Sequence, residues 1–421
     1  MRQFLSKFAE YTLALTIFCS IGPFFVWEQY RGGIGVIVYR LFGALSLICM
    51  VSAILINKTK PLKAIAGFAL LLIFAYLSIF TGVKTETVLP LTRGNIATCI
   101  LLVLVVLTND KYLAGSFDKL KTILTFVFAY TFLIYILVVI GIPFPSETIE
   151  TFRTQLSGQH HINYLGCLFL SELAGQTDRF TSMFEEPGVV GTISALILAT
   201  SDGGIKRDKR NIVFLISGLF SLSLAFICMM TVYYLIYAIR KGMLKTATLL
   251  IAISIMYIVF ENIDFSNELV LELQTRIDFR DEDAKKRNSR IGDDAQSEFD
   301  DFLEGDFKTF LMGHGVPYAI SSSGETSWSY SATYKKQIFQ CGLIGFCLYF
   351  LWMVIFPYQC CKTDNTDTNV DLVIYVFVFL ISVYQRPFFF SLYFLYFLVA
   401  GCARIQRLNE KQNDSSEAIT N

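Results

Sequence analysis

Twelve apolar runs, most of them 15 to 23 residues long, are strung along a chain of 421 residues, and no other feature limits its fold so tightly. A helix rising about 1.5 Å per residue needs roughly 20 residues to cross a hydrocarbon layer of about 30 Å. Blocks of that length can satisfy their own backbone groups in lipid only as helices. The runs fall at about 10–27, 34–56, 64–83, 92–108, 121–143, 187–201, 211–222, 224–239, 246–262, 337–358, 370–385 and 387–405. This spacing predicts an all-α, polytopic integral membrane protein with about 12 transmembrane helices, forming a single membrane domain over 1–421. The first run lacks a small-residue cleavage site and eleven others follow it, so it reads as an anchor and not as a removed signal. The stretch 211–239 admits one long tilted helix or two short ones turning at Ser221-Leu222-Ser223; the hairpin is the preferred reading.

Composition narrows the function classes. The net charge is zero, which argues against nucleic acid as a partner, and membrane lipid is the expected surrounding. Most of the ten Cys lie inside apolar runs, where they act as small apolar side chains, and only Cys167 falls in an outer loop, so no disulfide framework is expected. His160 and His161 are adjacent and His314 stands alone, so no metal site and no cofactor are expected.

The cations orient the bundle. Lys58, Lys60, Lys63, Lys111, Lys119, Lys121, Lys206, Arg207, Lys209, Arg210, Arg240, Lys241 and Lys245 fall in one set of connections, with Arg404, Arg407 and Lys411 near or within the tail at 406–421. The short connections of the other set hold only scattered cations such as Arg31, Lys84, Arg93 and Arg386. The positive-inside rule then places the tail in the cytoplasm and two large polar loops, 144–186 and 263–335, outside. Within the second loop, Ala295, Phe299, Phe302, Leu303, Phe307, Phe310 and Leu311 recur at mostly helical spacing after a cap at Asn288-Ser289. They predict an amphipathic helix with its Phe row toward lipid or toward the bundle. Gly313-His314-Gly315 ends it.

Arg, Glu and His gathered in two loops suggest work at one membrane surface. Arg179 precedes Glu185, Glu186 and Pro187, and Pro187 suits the first turn of a helix with both carboxylates near its positive end. One reading is an ion pair and a cap that pin the loop. The other is a site where the guanidinium binds phosphate oxygens and a Glu deprotonates a hydroxyl. Arg276, Arg280 and Arg290 belong to a mixed-charge cluster that reads mainly as a solvated surface, although Arg290 opens the amphipathic helix and its planar fork suits a diphosphate. His314, between two Gly, is either a turn residue or a titratable group close to a ligand. Arg40 lies inside the second run, where a charge faces a polar cavity or snorkels to the surface.

The order of these pieces resembles the O-antigen and capsular repeat-unit polymerases (Wzy type), related to the O-antigen ligases. The matching pieces are Arg179-Phe180-Thr181-Ser182-Met183-Phe184-Glu185-Glu186-Pro187-Gly188, then Gly218-Leu219-Phe220-Ser221-Leu222-Ser223, then Arg290 through Leu311-Met312-Gly313-His314-Gly315, then Tyr334 through Gly342-Leu343-Ile344-Gly345. They cover about residues 120–360. The resemblance implies a metal-independent glycosyltransferase that takes undecaprenyl-diphosphate-linked oligosaccharides at the outer face of the bacterial cytoplasmic membrane, with a chain-length regulator and a flippase as expected partners. It implies catalytic roles for Arg179, Arg290, Glu186 and His314, and substrate contacts from Arg40, Arg276, Arg280, Glu185 and Tyr334. Where the ligases carry a His ahead of their Gly-x-x-Gly, this chain has Ser331, which favours polymerase over ligase and leaves the general base open between Glu186 and His314. A lipid-linked oligosaccharide flippase is the rival from another class; it would be expected to show two related halves and short loops.

Overall fold

A computed structural model of the chain describes residues 2–27, 30–56, 59–82, 88–149, 160–170, 179–201, 208–242, 293–314, 334–385 and 391–420. They form α1 (Arg2–Ser20), α2 (Ile34–Ile56), α3 (Pro61–Gly82), α4 (Val88–Leu107) and α5 (Asp110–Val139). A short sheet follows, β1 (Ser146–Ile149), β2 (His161–Tyr164) and β3 (Cys167–Leu170). Then come α6 (Pro187–Ala199), α7 (Arg210–Phe220), α8 (Leu224–Lys241), α9 (Asp293–Glu304), α10 (Phe307–Met312), α11 (Tyr334–Cys361), α12 (Thr366–Gln385) and α13 (Leu392–Thr420).

Among the described residues, four helical stretches are long and apolar enough to cross a membrane: Tyr30–Ile56, Asp110–Val139, Tyr334–Cys361 and Thr366–Val383. Shorter apolar helices lie at Pro61–Tyr76, Ala97–Leu107, Pro187–Ala199, Arg210–Phe220 and Leu224–Arg240. The chain is thus mostly helical, with several helices built of residues suited to lipid. The expected run at 246–262 lies outside the described residues.

The first expected run is corrected at its end. Helix α1 stops at Ser20, and the chain turns through Gly22 (φ +85°) into Pro23 and a 3-10 turn at Phe24–Val26. Proline supplies no N–H to continue the helix. The last apolar residues of that run cover the sheet region instead, where the Phe24 N–H donates to the Met183 carbonyl at 2.9 Å. The break expected at Ser221–Ser223 is present, with Leu222 at φ +47° between α7 and α8. The tail expected at 406–421 continues α13 as helix to Thr420.

The sheet departs from the all-α expectation. Its strands are antiparallel in the order β1-β2-β3. Leu165 (φ +52°) and Gly166 (φ +94°) form the two-residue turn between β2 and β3, and two positive φ values match the right-handed twist of a hairpin. The Asn163 side chain accepts the Gly166 N–H at 2.7 Å, which fixes the turn. Cys167 is fully buried in β3, and burial pushes its thiol up to about 12.

The chain divides into two compact units, one of residues 1–46 and 116–288, the other of 47–115 and 289–421. In the first, Phe128 meets the rings of Phe180, Phe184 and Phe214 edge-on at 5.7–6.4 Å. Tyr135 stacks on Phe169 at 5.6 Å, which ties α5 to the sheet. In the second, the Trp352 indole donates to the Ala66 carbonyl at 2.9 Å and the Tyr375 hydroxyl to Phe397 at 2.6 Å. The amphipathic stretch is two helices, because Gly305 and Asp306 interrupt it. Phe299 and Phe302 bury against Phe339 of α11, with Phe310 packed beside them, whereas Phe307 is 71% exposed. The Phe row is therefore shared between the protein interior and the surface.

Several cations counted for orientation are locked in ion pairs. Asp110 holds Lys60 at 2.8 Å and the buried Lys63 at 2.5 Å. Lys121 is fully buried, 2.8 Å from Asp208 and 2.5 Å from the Asn211 side-chain oxygen. Arg210 forks the same carboxylate, with its Nε at 2.9 Å from Oδ1 and its Nη2 at 2.9 Å from Oδ2, and reaches Thr122 at 2.8 Å. Burial alone would raise the Asp208 carboxyl, but the hydrogen bonds from Arg210 and Lys121 outweigh it and hold the group well below the usual carboxylate range. The stabilisation is present above about pH 4, the unfolded value, and is lost as pH falls through the lower folded value. Asp208→Asn removes the charge opposite a buried ammonium, so a loss of about 2 kcal/mol is expected in detergent melting. A loss below about 0.5 kcal/mol would show that the pair is only a surface contact.

Candidate functional site

The segment 179–187 is held from several sides within the first unit. Phe180 and Phe184, four residues apart, are buried among Phe128, Phe132 and Tyr135. The Phe180 N–H donates to the Phe220 carbonyl at 3.1 Å, and the Leu168 N–H of β3 donates to Ser182 at 2.7 Å. The Thr181 hydroxyl donates to the Leu168 carbonyl, and the Ser182 and Thr131 hydroxyls lie 2.8 Å apart. Ser182 adopts φ +55°, an uncommon conformation for a residue with a side chain. These bonds fix where Arg179 and Glu186 emerge at the two ends of the segment.

The guanidinium of Arg179 is half-buried and faces the α7–α8 turn. Its Nε donates to the Ser221 carbonyl at 3.1 Å, and its Nη2 donates to Ser221 at 2.9 Å and Leu222 at 2.8 Å. The cation thereby closes the last turn of α7, where carbonyls lack helical partners. The same turn lies against α6, since a Cβ on Gly191 would come within 2.5 Å of the Ser223 Cβ and 3.0 Å of the Ser221 Oγ. Two sequence pieces 42 residues apart thus form one assembly around the start of α6.

Glu186 is the N-cap residue of α6, with φ −130° and ψ 137°, and Pro187 opens the helix. Its side chain makes no N-cap hydrogen bond. Glu185 and Glu186 are both half-buried. The segment therefore carries one guanidinium and two carboxylates at the end of a short helix whose N–H groups point the same way.

A second neighbourhood lies in the other unit. Gly313 (φ +81°) and Gly342 (φ +70°) face each other so closely that a Cβ on either would fall 2.2–2.4 Å from backbone oxygen or nitrogen. The His314 N–H donates to the Phe339 carbonyl at 2.8 Å. Its imidazole, half-buried, rests 4.7 Å from the Phe339 ring and 5.3 Å from that of Phe302. Tyr334 is the first residue of α11 and is half-buried. The third and fourth pieces of the resemblance meet at these glycines.

Arg40 stands exposed on α2, so the structure gives it no enclosed polar cavity. Arg276, Arg280, Arg290 and Ser331 lie outside the described residues. Sequence reasoning missed Thr131, Ser182 and the carbonyls of Ser221 and Leu222 as supports for the segment. The four-residue spacing of Phe180 and Phe184 was the signal that the loop turns inward there. No model of a known protein family matches the chain, and no curated protein matches it.

Proposed function

We propose that the chain is a polysaccharide polymerase, a glycosyltransferase that joins undecaprenyl-diphosphate-linked oligosaccharide units into O-antigen or capsule at the outer face of the bacterial cytoplasmic membrane. About twelve spans would carry it there, with the loops at 144–186 and 263–335 on the outer side. The observation that supports this reading most is the fixed direction of the Arg179 guanidinium, held by the Ser221 and Leu222 carbonyls at one end of the segment that leads into α6.

In the proposed step, a hydroxyl of one lipid-linked unit attacks the anomeric carbon of the growing chain. The new C–O bond forms as the bond to the diphosphate breaks, and the electron pair leaves with undecaprenyl diphosphate. A direct attack inverts that carbon. Guanidinium groups would bind the departing anion, the work another enzyme could give a metal ion. Arg179, held in direction by its bonds to Ser221 and Leu222, is assigned to this task. Arg290 is assigned the same task, with Arg276 or Arg280 assisting. Glu186 would accept the proton, since it shares a rigid segment with Arg179, while the imidazole of His314 lies between two aromatic rings.

Glu186→Gln should cut surface polymer by about 100-fold, as loss of a general base does, and His314→Ala by less than tenfold. The reverse order would assign the proton to His314. Cells lacking the protein should display single unpolymerised units outside. Units retained inside would instead indicate a flippase, and polymer accumulating on its lipid carrier a ligase. The two compact units are interleaved in sequence, not an N-terminal and a C-terminal half, which speaks against the flippase alternative.

A further inference from the structure

The α1–α2 connection and β1 carry a polar patch that the reading above does not use. Tyr30 is half-buried, and its ring is fixed edge-on against Phe24 at 5.1 Å. The Arg31 guanidinium lies over that ring at 5.1 Å. The Tyr30 hydroxyl donates to the Glu147 carboxylate at 3.4 Å, and Arg31 Nη2 lies 3.8 Å from the same oxygen. Beside them, Trp27 is half-buried, with its indole N–H donated to the Gly22 carbonyl at 3.2 Å and its ring 5.6 Å from His161.

Stability does not account for this arrangement. Arg31 and Glu147 have side chains 68% and 48% exposed, and ion pairs so open to water contribute little to stability. Arg31 adopts φ +46°, which costs about as much as the pair returns. The conformation instead holds a guanidinium, a carboxylate and a phenol around one half-open aromatic ring. Sugar rings present an apolar C–H face and a rim of hydroxyls that both donate and accept, and this set of groups answers both features. Paired opposite charges leave the patch close to neutral, which suits a hydroxyl-rich ligand better than an anionic lipid headgroup or a basic peptide.

The patch is also continuous with the candidate site. Pro23 bridges Phe184, the Phe24 N–H donates to Met183, and Met183 packs on the cluster of Phe24, Ile149 and Leu168. Glu185 follows two residues after Met183 in the chain. We infer that Tyr30, Arg31 and Glu147, with Trp27 beside them, form a saccharide-binding subsite that positions the glycan of the substrate near the Arg179–Glu186 segment. This rests on the polymerase reading for the identity of its glycan.

The test uses the full-length protein in nanodiscs and, as probe, oligosaccharides released by mild acid from the producing cell's own surface polysaccharide. Saturation-transfer NMR and titration should show binding that weakens at least fivefold in Tyr30→Ala and in Glu147→Gln. Tyr30→Phe, which keeps the ring, should lose less than Tyr30→Ala, and melting curves of all three should match the parent. Absence of binding by the parent, equal losses in Tyr30→Phe and Tyr30→Ala, or unchanged affinity in Tyr30→Ala and Glu147→Gln would overturn the subsite. Preference of the patch for phosphatidylglycerol vesicles over the oligosaccharide, abolished by the same substitutions, would also overturn it. The two ideas fail separately. Tyr30-dependent binding in a protein whose deletion leaves polymer intact sinks the polymerase reading alone, and lost polymer with Tyr30-independent binding sinks the subsite alone.

Discussion

Replacing Arg179 by lysine is expected to lower surface polymer roughly 10²–10³-fold, the usual effect of removing one preorganised donor to a developing anion. The substitution keeps a positive charge near the same place. It cannot keep the planar group whose Nε and Nη2 both reach the Ser221 carbonyl, at 3.1 and 2.9 Å, while Nη2 also reaches Leu222. An ammonium on a flexible stem would satisfy one of those oxygens and lose its fixed direction. Polymer should therefore fall while the amount of protein in the membrane stays near the parent level, because Phe180, Phe184 and Thr181 still anchor the segment. Unchanged polymer amount and length would remove Arg179 from the site and leave it only the task of closing α7.

Gly342→Ala should cost upwards of about 3 kcal/mol and sharply reduce the folded protein recovered in detergent. The new methyl would lie 2.2 Å from the Leu311 oxygen and 2.5 Å from the Gly313 nitrogen, both backbone atoms that cannot swing away. The φ of +70° adds strain, because a side chain disfavours that region. Gly43→Ala is the matched control, since a methyl there meets nothing within 4 Å, and it should change stability by less than about 0.5 kcal/mol. Equal melting temperatures for the two variants would mean that α10 and α11 are not joined closely at Gly313 and Gly342.

The elements most legible in the sequence were those that carry their own signal. Among the described residues the long apolar runs became helices, and the Ser221-Leu222-Ser223 break is where two short polar residues interrupt a mostly apolar stretch of 29 residues. The end of α1 carried a local signal in Gly22-Pro23, but the apolar residues that continue to Trp27 extended the expected run past it. The sheet was not legible because strands of four residues show too little alternation, and Leu165 is not a residue that announces a left-handed turn. The amphipathic pattern predicted one helix; Gly305 and Asp306 make it two, so that only part of the Phe row is buried. At the site, Arg179 and Glu186 stood out by residue type, yet the partners of Arg179 are main-chain oxygens 42 residues onward, which no pattern of side chains reveals. The Tyr30–Glu147 contact joins residues 117 apart and was invisible for the same reason.

Reconstitution tests the central claim most directly. The full-length protein, placed in liposomes with undecaprenyl-diphosphate-linked repeat units and a chelator but no nucleotide sugar, should yield a ladder of products differing by one unit, with free undecaprenyl diphosphate released in step. Units that cross the bilayer without being joined, or that persist unchanged under these conditions, would contradict the account.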